Sequence, residues 1–238
     1  MYSFPRLSSI RLTLVLDTDE VDFDTPPNHT PNVSAYGLDR LSMAICGKRT
    51  LEKVSIYVQN TWQEQEDTLT PVLYARQLVA GEAFRALEGL RNLKHLSVGE
   101  IPVYLQPEDI TSMARAWPQL EHLLFTRASP DIVFPVEITI EDLYPLAEHC
   151  PNLEFLAIPV AGSGNTSVPF DGVIPERLVQ RPLASIDLRH SDIQSGPDCE
   201  RIARFLSMVY PNTGFTLWPE NKEVVHEVID LLWELRGY

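Results

Sequence analysis

The stretch TIEDLYPLAEHCPNLEFLAI, residues 139–158, predicts a helix followed by a tight turn and a short strand. Its apolar residues first recur at helical spacing and then follow the pattern L-x-x-L-x-L at its end. Thr139 is suited to be the helix N-cap, with Asp142 three residues later completing a box-like start. We expect Pro151 to end the helix, because proline lacks an N–H group and disfavours helix at the residue before it.

The L-x-x-L-x-L pattern recurs along the whole chain. Six copies begin at Leu7, Leu51, Leu93, Leu120, Leu153 and Leu183, and a shortened copy lies near Thr213. The first leucines of the six copies are 44, 42, 27, 33 and 30 residues apart. A period of this size, with one helix and one strand, is typical of a solenoid whose neighbouring units cover each other's apolar faces.

The predicted fold class is therefore α/β, as a leucine-rich-repeat solenoid of about seven irregular repeats. We expect a curved parallel sheet on its concave side and helices on its convex side. Residues 1–238 would form a single leucine-rich-repeat-like domain, with a C-terminal helix at 223–235 capping the stack. An ordinary α/β domain with parallel strands is the alternative.

Other segments complete this picture. Helical patterns cover residues 36–46, 73–90 (broken or bent around Gly81), 107–117, 198–210 and 224–235. The short apolar segment 101–105 should pack a loop onto the stack. The first strand begins close to residue 1 without a capping unit before it. This indicates either a shortened chain or a first strand that is left partly open.

Composition excludes several classes of partner. The net charge is −14, from 19 basic and 33 acidic residues, whereas nucleic-acid affinity depends on clustered lysine and arginine. The same charge argues against an anionic membrane surface, and no run of apolar residues is long enough to span a bilayer.

The N-terminus lacks a secretory signal pattern. Three scattered cysteines, Cys46, Cys150 and Cys199, indicate buried thiols in a reducing compartment. We expect a cytoplasmic or nuclear protein.

No catalytic motif accompanies the repeats. The sequence contains no phosphate-binding loop, dinucleotide fingerprint, nucleophile elbow or zinc-protease motif, so we expect no enzyme activity and no cofactor. His95 and His122 both occupy the third position of their repeats, so adjacent strands should place them side by side. No third ligand is evident beside them, and a partner contact is a better interpretation than a metal site.

A protein partner is the expected ligand, and the outward face of the sheet is its expected site. In each repeat the first, fourth and sixth residues should face the core, and the third, fifth and seventh should face outward. The candidate partner-binding residues on this face are Lys53, Tyr57, His95, His122, Leu124, Phe155, Asp187, Arg189 and Trp218. Packing of Leu124 and Phe155 under a loop, without any partner, is the alternative for those two.

The segment EHCPNLEFL (residues 148–156) resembles the leucine-rich-repeat region of F-box proteins. Residues 174–188, 201–212 and 228–233 are similar to the divergent F-box-associated repeats of mushroom-forming fungi. In that family an N-terminal F-box docks on the Skp1 adaptor of a cullin-RING ubiquitin ligase, while the repeats hold the substrate. The resemblance implies substrate recognition for this chain.

No F-box is found in this sequence, so a Skp1-type adaptor would bind only a longer form that carries one. A stand-alone scaffold or regulatory binding protein without any ubiquitin link is the alternative function. A hydrolase using His122 or His149 is a third hypothesis, with nothing beyond histidines and acidic residues to support it.

Overall fold

A computed structural model describes residues 8–15, 50–59, 79–99, 103–126, 136–162, 183–188, 191, 193–211, 214–215 and 222–237. Seven strands in these ranges form one parallel sheet. They are β1 (Ser9–Val15), β2 (Lys53–Gln59), β4 (His95–Gly99), β6 (His122–Thr126), β7 (Phe155–Ala157), β8 (Ser185–Asp187) and β9 (Gly214–Phe215). Their order in the sheet follows their order in the chain, so each strand pairs with the next copy of the pattern.

The same backbone connection leads into successive strands. The carbonyl of Glu52 accepts the N–H groups of Lys94 and His95, at 2.7 and 2.9 Å, and the carbonyl of Lys94 accepts those of the next pair. The arrangement repeats from Ser8 through Glu154. Strand register is therefore set one repeat at a time, which places Leu96, Leu123, Leu156 and Ile186 in one continuous row.

Four α-helices lie in the described part of the chain: α1 (Pro107–Ala116), α2 (Tyr144–His149), α3 (Pro197–Val209) and α4 (Lys222–Arg236). Helices α1 and α2 end directly before Trp117-Pro118 and Cys150-Pro151, as the proline positions predict. A turn then leads to the first leucine of the next repeat, with N–H to O distances of 3.0 and 3.2 Å.

At the start of the repeat at 139–158 the predicted contact between Asp142 and Thr139 is present, but Thr139 is not the N-cap. Ile140 precedes the 3-10 turn and Leu143 precedes α2, and neither makes a side-chain capping bond. The Asp142 carboxylate accepts hydrogen bonds from the backbone N–H and the hydroxyl of Thr139, both at 2.8 Å. Residues Glu141–Leu143 form a 3-10 turn before α2 begins, so the predicted helix starts in a tighter form.

One hydrophobic core joins the sheet to the helices. The inward-facing strand residues, such as Leu96, Leu123 and Leu156, are fully buried and belong to the same cluster as Ile110 of α1 and Leu146 of α2. The side chain of Trp117 is buried there as well, and its Nε1 donates to the carbonyl of Leu87 at 3.0 Å. This packing covers one face of the sheet.

The predicted helix over residues 73–90, broken or bent around Gly81, is present as a 3-10 helix that begins at Gly81, and the prediction is wrong for the described residues directly before it. Val79–Ala80 forms strand β3, which pairs in parallel with β5 (Val103–Tyr104), and Gly81–Leu87 forms a 3-10 helix. A Cβ atom on Gly81 would clash with the carboxylate of Asp109 in α1, so glycine allows this close approach. Residues 73–78 and the predicted helix at 36–46 lie outside the described residues.

Helix α4 confirms the predicted C-terminal helix and packs on α3. Its Glu227 carboxylate accepts hydrogen bonds from the Ser195 hydroxyl at 2.6 Å and from the Gly196 N–H at 2.9 Å, just before α3 begins. Trp233 and Leu235 near its end are 60% and 52% exposed. None of the helices in the described ranges has the length and apolar character that a bilayer crossing requires.

Candidate functional site

The outward face of the sheet carries a row of side chains at equivalent positions of four strands. Lys53, His95, His122 and Phe155 are register partners across β2, β4, β6 and β7, and we call them the histidine row. Lys53 is exposed, and the other three are half-buried. The repeat predicts this outcome, because the third residue of each copy alternates with the buried leucines.

The rings of the histidine row touch each other. The centroids of His95 and His122 are 4.5 Å apart, with the ring planes tilted by 44°. The rings of His122 and Phe155 are stacked, with centroids 6.1 Å apart and planes 20° apart. The prediction that the two histidines lie side by side is therefore confirmed. Because the strands fix their backbone, these rings form a pre-organised aromatic surface.

Charged groups surround His95. Its Nε2 lies 3.5 Å from a carboxylate oxygen of Glu121, and Lys94 Nζ lies 3.4 Å from Glu52 and 3.8 Å from Glu121. Burial lowers the pKa of His95 below 6.5, and His122 acts in the same direction, while Glu121 opposes them. The neutral form of the His95 imidazole consequently predominates at pH 7.

A second group of contacts adjoins the row on β2 and β4. The Tyr57 ring lies over Gly99, where a Cβ atom would approach two ring atoms to 2.9 Å. The Tyr57 hydroxyl is 3.4 Å from the hydroxyl of Ser97, and the guanidinium carbon of Arg11 is 5.9 Å from the ring centroid. Glycine at position 99 therefore allows the tyrosine to lie along the sheet.

The nine predicted site residues have three outcomes. Six occupy outward positions with exposed or half-buried side chains: Lys53, Tyr57, His95, His122, Leu124 and Phe155. The expectation that Asp187 is an exposed contact residue is wrong, since it is only 2% exposed. Alternation along the strand predicts on which face of the sheet a side chain lies, but not whether other residues pack over it. Arg189 and Trp218 lie outside the described residues.

Sequence reasoning missed the charged residues that precede the row. Glu52, Lys94, Glu121 and Glu154 all occupy the second position of their repeats, and the first three form a chain of ion pairs. A charged residue at the same position of four successive repeats was the available signal. Of these residues, Glu121 and Lys94 act on the charge of His95, with opposite signs.

The arrangement is suited to contact with another molecule. Within the residues that the structure describes, no three histidine, cysteine, aspartate or glutamate side chains are grouped as metal ligands. The row combines an ammonium group, two imidazoles and a phenyl ring, which together offer hydrogen bonding and apolar contact.

No protein-family model matches the chain, and no curated protein matches it significantly.

Proposed function

We propose that this chain is a leucine-rich-repeat solenoid that binds another protein on the outward face of its sheet. Three observations support the solenoid: strands paired in chain order, the repeated connection before each strand, and one core shared by helices and strands. In such a solenoid the sheet lines the concave side and the helices the convex side. The outward strand residues then face the partner.

The histidine row is the observation that carries the binding proposal. Its three rings are half-buried, contact each other and are attached to neighbouring strands. Partly exposed aromatic side chains held on a rigid scaffold lose little conformational entropy when a partner covers them. They therefore supply binding energy more efficiently than flexible surface chains.

Substrate recognition for a cullin-RING ubiquitin ligase is the role that we propose for this binding, in the cytoplasm or nucleus. The proposal depends on the resemblance of residues 148–156 and the later repeats to F-box/LRR proteins. A Skp1-type adaptor would join only through an F-box in a longer form. A stand-alone scaffold without a ubiquitin link is the second candidate, favoured because residues 1–238 contain no F-box pattern.

Comparative affinity capture tests the proposal. The wild-type chain is used as bait beside His122→Ala/Phe155→Ala and beside Glu200→Ala/Arg204→Ala, which removes an exposed ion pair on α3 as a matched control. We expect a specific partner to be retained by the wild type and the control and to be lost from the histidine-row variant. Circular dichroism must show that all three baits are equally folded.

Equal capture by all three baits would contradict binding at the histidine row. The identity of the partners separates the two candidate roles. Skp1 and cullin among the proteins retained by a longer F-box-containing form support the ligase role. Their absence from captures by both forms supports the stand-alone scaffold.

A further inference from the structure

The outward face has a different charge from the rest of the chain. The net charge of the protein is −14, yet the charged residues at described outward positions of β1 to β7 are Arg11 and Lys53, both exposed. The acidic residue of this face, Asp187, lies on β8 and is buried. The part of the face that includes the histidine row thus offers cations to a partner.

The residues at the edge of the row balance this charge at neutral pH. Lys94 adds a third cation, and Glu52, Glu121 and Glu154 supply three carboxylates, two of them paired with Lys94. Three cations and three carboxylates cancel, so each proton that an imidazole of the row gains adds one net positive charge.

The two imidazoles lie side by side on the outward face, with their centroids 4.5 Å apart, and the His95 Nε2 already lies 3.5 Å from a carboxylate oxygen of Glu121. A partner carboxylate that reaches the histidines would therefore lie beside Glu121 or take its place as acceptor. Lys53 is the register partner of His95 on one side, and Phe155 is that of His122 on the other. An acidic group at the histidines would therefore have an ammonium group and an apolar surface as neighbours.

We propose that the histidine row binds a partner segment through its aspartate or glutamate side chains, and that this binding strengthens as pH falls. The inference rests on the proposed protein-binding function and specifies the chemistry of the partner. A carboxylate bound beside His95 favours the charged form of that imidazole, so binding takes up a proton. The pH dependence should be confined to about pH 5 to 7, where histidine changes charge and carboxylates remain ionised.

Peptide selection provides a test that does not need the natural partner. A phage-displayed library of random peptides is selected on the full chain at about pH 5.5. Each selected peptide is then synthesised beside a counterpart in which Asp and Glu become Asn and Gln. Fluorescence anisotropy measures the affinity of both peptides for the wild-type chain at about pH 5.5 and pH 7.5.

We expect the selected peptides to be rich in acidic residues, and their amide counterparts to bind about tenfold more weakly, since paired charges at partly desolvated sites have effects of this size. The acidic peptides should bind at least about fivefold more tightly at the lower pH. His95→Gln/His122→Gln should remove this pH dependence. Equal affinity of acidic and amide peptides for the wild type would overturn the inference without requiring any variant.

Failure of the inference can be separated from failure of the proposed function. Selected peptides that lack acidic residues but lose affinity for Phe155→Ala would overturn the acidic specificity and leave binding at the face intact. Peptides that bind equally well to His122→Ala/Phe155→Ala would overturn both. In that case the binding surface lies elsewhere on the chain.

Discussion

Leu123→Ala should destabilise the protein strongly, whereas Leu124→Ala, at the adjacent position, should not. Leu123 is 0% exposed and lies between Leu96 and Leu156 on the inward face. Removing about three buried carbons costs about 2.4 kcal/mol at ~0.8 kcal/mol per methylene. A residual cavity of roughly 50 to 80 Å³ adds about 1 to 2 kcal/mol, for a total of about 3.5 to 4.5 kcal/mol.

Leu124 is the matched control, because it has the same side chain on the same strand but faces outward and is only half-buried. We expect its replacement by alanine to cost about 1 kcal/mol or less. Urea unfolding followed by circular dichroism and tryptophan fluorescence measures both free energies, provided that the two probes give coincident transitions. An equal or larger loss for Leu124→Ala would refute the assignment of the two faces.

Three further predictions concern contacts outside this pair. Asp142→Ala removes the acceptor of two hydrogen bonds from Thr139, both 2.8 Å, and should lower the free energy of unfolding by about 1 to 2 kcal/mol in urea titrations. Hydrogen bonds from the residues before α3 lower the pKa of Glu227 below 4.5. The stabilisation by the Glu227 carboxylate is thus present above pH 4.5 and is lost as pH falls through the lowered pKa, so Glu227→Gln should destabilise the protein more at pH 7 than at about pH 3. His122→Gln should raise the pKa of His95 towards 6.5 in an NMR titration, because it removes a neighbouring imidazole and some of the burial.

A specific outcome would contradict each of these three predictions. Unchanged stability of Asp142→Ala would mean that water replaces the carboxylate at no cost. A destabilisation by Glu227→Gln that is equal at both pH values would show that the charge of the carboxylate is not involved. A His95 pKa that stays the same in His122→Gln would show that neither the second imidazole nor its packing influences the first.

The strands and their register could be predicted from sequence, because aligning the copies of the repeated pattern also aligns the strands that pair. The leucines of each copy identify the inward positions, and equal positions of successive copies must pair if the strands are stacked. The contact between His95 and His122 follows directly from this rule. The helix ends before Pro118 and Pro151 were predictable for a local reason, the steric effect of proline on the preceding residue.

Other features depend on contacts between distant segments and were not predictable. The segment at Val79–Leu87 has helical periodicity, but pairing of β3 with β5 and the close contact between Gly81 and Asp109 favour a strand and a 3-10 helix. The burial of Asp187 likewise depends on what packs over β8 and not on its position in the repeat. Periodicity gives the direction of a side chain, whereas exposure depends on the rest of the fold.

Site-specific photo-crosslinking tests the central claim most directly, because it reports where a partner lies. Benzoylphenylalanine is placed at Phe155 in the histidine row or at Arg204 on the exposed side of α3, and the full chain is irradiated with a cell extract. Binding at the outward face predicts a discrete crosslinked protein from position 155, lost in the presence of His122→Ala, and none from position 204. A partner crosslinked from position 204 and not from position 155 would contradict the account.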